Sequence, residues 1–149
     1  MNRIIEIILI VFTIILLTSF INYNRDTCDL TVEVNKLRNS KGNVQFTLYN
    51  KDGSLPDEDY EKYYKILKGE IINNSSVVTF ENLPAGIYAV NILHDENTNG
   101  KIDRPFLIPQ EGIGFSNYES IGMANKPKFA KASINLNDSL KIQVKIIYM

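Results

Sequence analysis

The chain has 149 residues, a formal net charge of −1, one cysteine and one histidine. That length holds one ordinary domain with an accessory segment, and a single cysteine excludes a disulfide within the chain. A near-neutral balance without a basic cluster argues against nucleic acid as a partner.

The opening stretch, MNRIIEIILIVFTIILLTSF, is unlike the remainder. An almost unbroken apolar run from Ile7 to Leu17 follows Arg3, a length that suits the hydrophobic part of a secretory signal. Counted from Ile4 to Ile21, with Glu6 inside it, the run would reach roughly 27 Å as a helix, close to the thickness of a bilayer core. Its end, LLTSFINYN, lacks the small residues of a cleavage site. Residues 1–21 therefore read as a signal peptide or as a membrane anchor, the latter a tether to the inner membrane through residues 4–21. Both readings deliver residues 28–149 outside, to the periplasm or cell envelope. Cys28 reads as a half-buried thiol at the start of a strand, because NRDTC puts charged residues where a lipid-bearing cysteine needs small apolar ones.

Strand patterns begin at once. LTVEV alternates Leu30, Val32 and Val34 against Thr31 and Glu33, and VQFTLY sets Val44, Phe46 and Leu48 on one side. Pro56 with Asp57, Glu58 and Asp59 predicts a short helix over 57–64, since proline fits a first turn and acids favour the positive end of the dipole. A strand near 65–72, a turn at NNSS and the short strand VVTF follow. After the tight ENLPAG connection, IYAVNILH carries apolar residues on both faces and predicts a central strand. Residues 95–127 are loop-rich, with aromatics and aliphatics such as Phe106, Leu107, Ile108, Ile113, Phe115 and Tyr118 that fold the loop onto the domain. KFAKASINL and LKIQVKIIY predict a closing hairpin across Asn137-Asp138, with Leu140, Ile142, Val144, Ile146 and Tyr148 inward. Seven or so short strands without a βαβ rhythm give an all-β chain. The expected shape is an immunoglobulin-like or prealbumin-like β-sandwich with one short helix and a long loop, preceded by an N-terminal hydrophobic helix.

The long loop opens on HDENTNGKID at 94–103. Asp95, Asn97 and Asn99 recur at every second position, Gly100 follows, and Asp103 closes the run. A curled loop turns every second residue toward its centre, so this spacing matches the first nine positions of the calcium loop of EF-hands, with Lys101 giving its backbone carbonyl at the seventh. Phe106 stands where that pattern needs a bidentate glutamate, and Glu111 is the nearest carboxylate that could reach in. The expected metal set is Asp95, Asn97, Asn99, Lys101 and Asp103. The expected cofactor is calcium in a structural role, held at about 10⁻⁴–10⁻³ M as in extracellular modules. The bland alternative is an Asn-Gly turn with solvated neighbours.

A second class of reading makes the chain a hydrolase of prealbumin-like fold using His94 and Ser116. Against it, GIGFSN is not a nucleophile elbow, and Asp95 beside His94 in a strand points to the opposite face. The leading reading is a non-enzymatic exported domain that binds an unknown protein or glycan or serves a structural role. A third is an accessory domain acting on a membrane partner.

FENLPAGIYAVNILHDENTNGKID, then IPQEGIGFSN and a later KPKFAKASINL, resembles the bacterial exported family called domain of unknown function 2141, over about residues 28–149. The resemblance implies a small β-sandwich with an aspartate- and asparagine-rich loop and an E-G-x-G-F-S-N segment. By that resemblance His94, Asp95, Asn97, Asn99, Gly100 and Asp103 stand out, then Glu111, Gly112, Gly114, Phe115, Ser116 and Asn117. It gives none of them a role.

Overall fold

A computed structural model describes residues 27–149 apart from 105–108 and 123, together with Arg3 and Phe12. The apolar segment read as a signal or anchor lies outside the described residues, as do Phe106, Leu107 and Ile108 of the long loop. Among the described residues no helix is long and apolar enough to cross a membrane.

Over the described residues from 27 onward the chain is all-β, in two facing sheets with one helical turn. Strands β1 (Thr27–Val34), β4 (Ser76–Pro84) and β8 (Leu140–Gln143) form the smaller sheet in the order β4-β1-β8. The larger sheet runs β3-β2-β5-β6, from β2 (Asn43–Tyr49), β3 (Lys65–Gly69), β5 (Gly86–Asp95) and β6 (Gly112–Phe115). Strand β7 (Ile134–Leu136) pairs with the first residues of β5, and α1 spans Phe129–Ala132. Period-two alternation explains the facing core. Leu30, Val32 and Val34 of β1 pack against Val44, Phe46 and Leu48 of β2 and Val90 and Ile92 of β5, all without exposed surface. Cys28, read as half-buried, is 4% exposed and belongs to this core.

Strand β5 occupies the middle of the larger sheet, as its two apolar faces predict. Its second face meets a second cluster, in which Ala89 and Leu93 pack with Tyr49, Leu55, Tyr60, Ile113, Phe115, Tyr118 and Phe129. The long connection does fold down. It also contributes β6, a strand the loop-rich sequence does not advertise.

Three expectations are corrected. Residues 57–64 form no helix. Tyr60 takes a φ of 54°, and the Asp57 carboxylate accepts the amides of Glu61 at 3.1 Å and Lys62 at 2.9 Å. Helix propensity is worth a few tenths of a kcal/mol per residue, whereas burying one aromatic ring gains roughly 2 kcal/mol, so the ring wins. The helical turn falls instead at 129–132, where Phe129 and Ala132 both reach the second cluster. Finally, 128–136 and 140–148 are not a hairpin: β7 pairs with β5 of the larger sheet and β8 runs parallel to β1 of the smaller, so Asn137-Asp138 crosses between sheets.

After β8 the chain crosses back. Val144 N–H donates to the Glu33 carbonyl, and Ile147 and Ile113 exchange two backbone bonds of 2.8 and 2.9 Å at the edge of β6. The inward alternation of this segment holds at Ile142, Val144 and Ile146, while Leu140, at the edge, is exposed. The crossing explains the glycines of GIGF. A side chain on Gly112 would strike the Tyr148 ring, and one on Gly114 would fall on the Lys145 carbonyl oxygen and Ile92. Gly114→Ala is expected to lower stability by roughly 1–3 kcal/mol, as overpacking does, read from the midpoint of urea unfolding.

Candidate functional site

Strand β5 ends on Asp95, which has no exposed surface although it carries a carboxylate. Its oxygens are served by the loop that follows: Oδ1 accepts the Asn99 amide at 3.0 Å and Oδ2 the Gly100 amide at 2.9 Å. A buried carboxylate needs such donors, and two backbone amides pointed inward curl the chain over it. Gly100 takes a φ of 72°, the sharp turn expected of the sixth position, and Thr98 a φ of 62°.

The exposed rim of the loop is held by Asp103. Asn97 Nδ2 donates to Asp103 Oδ2 at 2.6 Å, and Asn99 Nδ2 donates to both Asp103 oxygens at 3.1 and 3.2 Å. Asn97 Oδ1 accepts the Asn99 amide and Asn99 Oδ1 the Lys101 amide. Asn99 thus contacts Asp95 through its backbone and Asp103 through its side chain. Asp95, Asn97, Asn99 and Asp103 are therefore joined by hydrogen bonds, while the Lys101 side chain is exposed at the rim. Among the described residues no three His, Cys, Asp or Glu side chains cluster closely enough to hold a metal by themselves. What converges is two carboxylates and two amides.

Glu111 is the residue that sequence reasoning named only in passing. The β5–β6 register pairs His94 with Gly112, which brings Glu111 beside Asp95. Its Oε1 accepts the Glu96 amide at 2.9 Å and its Oε2 faces the Asp103 amide at 3.5 Å, so one 4%-exposed side chain spans both ends of the loop. Burial pushes its pKa above the usual carboxylate value, the two amide bonds pull it down, and the charges of Asp103 and Asp95 push it up again. Glu96 behaves oppositely: its bond to Arg38 holds it below the ordinary value. Only the strand register reveals Glu111, fifteen residues beyond Glu96.

His94 and Ser116 are both fasteners. His94 Nε2 lies 3.0 Å from the Lys41 carbonyl, which can only accept, so Nε2 carries the proton and Nδ1 accepts from the Tyr148 hydroxyl at 2.7 Å. Tyr148 in turn accepts the Arg38 amide. Ser116 Oγ donates to the Ala132 carbonyl at 2.6 Å and accepts the Val90 amide at 2.9 Å. Ser116 lies opposite Val90, four residues along β5 from His94, or about 13 Å. Each side chain spends its hydrogen bonds on the fold, and neither reaches the other.

The pattern of a family described as uncharacterized protein conserved in bacteria (DUF2141) matches residues 32–143, a span that takes in both sheets, the loop and the E-G-x-G-F-S-N segment. No curated protein and no solved structure matches the chain.

The Glu111 environment has a pH signature. Because its folded pKa lies above the reference value of 4.5, the folded state holds this proton more tightly than the unfolded one, and stability falls as pH rises from about 4.5 through the folded value. In chelator, Glu111→Gln is expected to flatten that part of the stability profile, measured by urea unfolding at stepped pH. A profile as steep as the wild type assigns the slope to other groups.

Proposed function

Since the chain belongs to the DUF2141 family of uncharacterized proteins conserved in bacteria, we propose that it is an exported, non-enzymatic β-sandwich with a binding or structural role at the cell envelope, its crossover loop pinned by calcium. The observation that carries this reading is the meeting of Asp95 and Asp103 across Asn99, each within 3.2 Å of an atom of that one residue. The donor set is all oxygen, which suits a hard cation. Asp95, Asn97, Asn99, the Lys101 carbonyl and Asp103 would hold the ion, with Glu111 behind them.

Asn97 and Asn99 turn their amide nitrogens to Asp103 and their oxygens to the Asn99 and Lys101 amides, so bringing those oxygens onto an ion would break these two backbone bonds as the side chains rotate. Bound calcium would supply the positive charge that Asp95, Asp103 and Glu111 otherwise lack inside the loop. The same loop closes the outer layer of the larger sheet, so pinning it steadies a surface on which a protein or glycan could rest. Export is supported by the apolar segment of residues 4–21, which would deliver the domain or tether it. The hydrolase alternative has no such support, since His94 and Ser116 stand apart with their bonds committed.

Thermal unfolding of the full chain tests the metal. With calcium at ten times its dissociation constant, mass action stabilises by about 1.4 kcal/mol, or roughly 3–6 °C in a chain of this size. Asp103→Ala is expected to abolish the shift. A midpoint identical in calcium and in chelator refutes the proposal.

A further inference from the structure

Beyond the rung that joins Ile113 to Ile147, β6 and the last segment part company. Those two residues exchange backbone bonds, and the next rung of an antiparallel pair would join Phe115 to Lys145. That rung is not made. The Lys145 carbonyl lies over Gly114 instead, and Val144 has turned its N–H to the Glu33 carbonyl of the smaller sheet. The wedge left at this side of the sandwich is a cleft of about 560 Å³, closed at its far side by Asn35 and Lys36. Its size falls within the roughly 300–1,000 Å³ of small-molecule sites.

The groups along the cleft favour one kind of guest. Phe115, Tyr118, Ile146 and Tyr148 give it apolar lining. Both tyrosine hydroxyls are committed elsewhere: Tyr118 bonds to the Lys126 carbonyl and the Lys128 amide, and Tyr148 to His94 and the Arg38 amide. Glu119, the one carboxylate along the cleft, is paired with Lys145. Lys36 forms no ion pair among the described residues, so two lysines against one glutamate leave one positive charge over. The Phe115 N–H is also without a partner among the described residues. It points away from β5, because Ser116 beside it bonds to Val90 and successive residues of a strand face opposite ways. The Phe115 carbonyl is taken by the Tyr118 amide, which leaves only the donor.

An ammonium and a main-chain N–H repel a bare cation and suit an anionic acceptor. One spare charge matches a carboxylate better than a doubly charged phosphate. The apolar lining suits a body with little polarity of its own. We propose that this cleft binds an apolar ligand that ends in a carboxylate, from a small organic acid or from the C-terminal end of a peptide. Lys36 and the Phe115 N–H receive the carboxylate, Gln143 at the border adds a neutral amide, and Ile146 and the aromatic residues cover the apolar part. None of the residues proposed to hold calcium lines the cleft.

The test follows the backbone amide signals of the full chain by NMR at fixed calcium. Phenylacetate, N-acetyl-alanyl-phenylalanine and the uncharged amide of each are added to millimolar concentration. At least one acid is expected to shift the Phe115, Gln143 and Lys145 signals to saturation, and its amide to bind about tenfold more weakly, as loss of a charged hydrogen bond implies. Lys36→Asn keeps a residue type that tolerates the left-handed backbone at φ 63° and should weaken the acid by a similar factor while leaving the amide unchanged. A response to phenylacetate alone identifies a free organic acid, and tighter binding of the dipeptide identifies a chain end. The proposal is overturned if neither acid shifts these signals, if acid and amide bind alike, or if Lys36→Asn binds the acid as the wild type does. Because calcium is held constant, such a failure leaves the metal reading standing.

Discussion

The larger sheet has to be covered on both faces, and most of the molecule follows from that constraint. Its inner face packs on the smaller sheet through two sets of alternating aliphatics. Among the described residues its outer face meets no second sheet, only segments without regular structure and one helical turn. A strand satisfies its backbone through its neighbours, but a covering loop has no ladder, so its amides need other acceptors. Asp57, Asp95 and Glu111 fill that need: each is at least nine-tenths buried and each takes main-chain N–H groups from a covering segment.

The same division of labour accounts for the polar residues that look like chemistry. His94 ties the turn before β2 to the C-terminal segment through Lys41 and Tyr148. Ser116 ties the end of β6 to α1 through Ala132. Both sit between elements with no ladder in common, where a side chain is the only available fastener. The loop after β5 differs, because its rim is exposed and its acceptors outnumber the cations near it. Lys101 points outward, and Arg38 is committed to Glu96.

The inner core was legible because period two is a strong signal: Leu30, Val32, Val34, Val44, Phe46 and Leu48 all lie where alternation puts them. The closeness of Asp95, Asn97, Asn99 and Asp103 was legible for a similar reason, since a curled loop brings every second residue to one side. The outer face of β2 was not. Gln45, Thr47 and Tyr49 alternate with that core face, and nothing local announces that they too will be buried. The missing helix at 57–64 has the same origin, because Tyr60 answers to a cluster assembled from distant parts of the chain. The false hairpin came from treating two adjacent strand patterns as partners, when β7 finds its ladder on β5 of the larger sheet and β8 on β1 of the smaller.

That crossing also has a temporal side. Strand β1 is bordered on one flank by β8, more than a hundred residues later, and the two run parallel. During synthesis β1 emerges early and keeps a bare flank until nearly all the rest has followed, and pairings so distant in sequence form slowly. An open strand edge is a template for foreign strands. Until then that flank needs cover, which places a demand on whatever accompanies the nascent polypeptide rather than on its own amino acids.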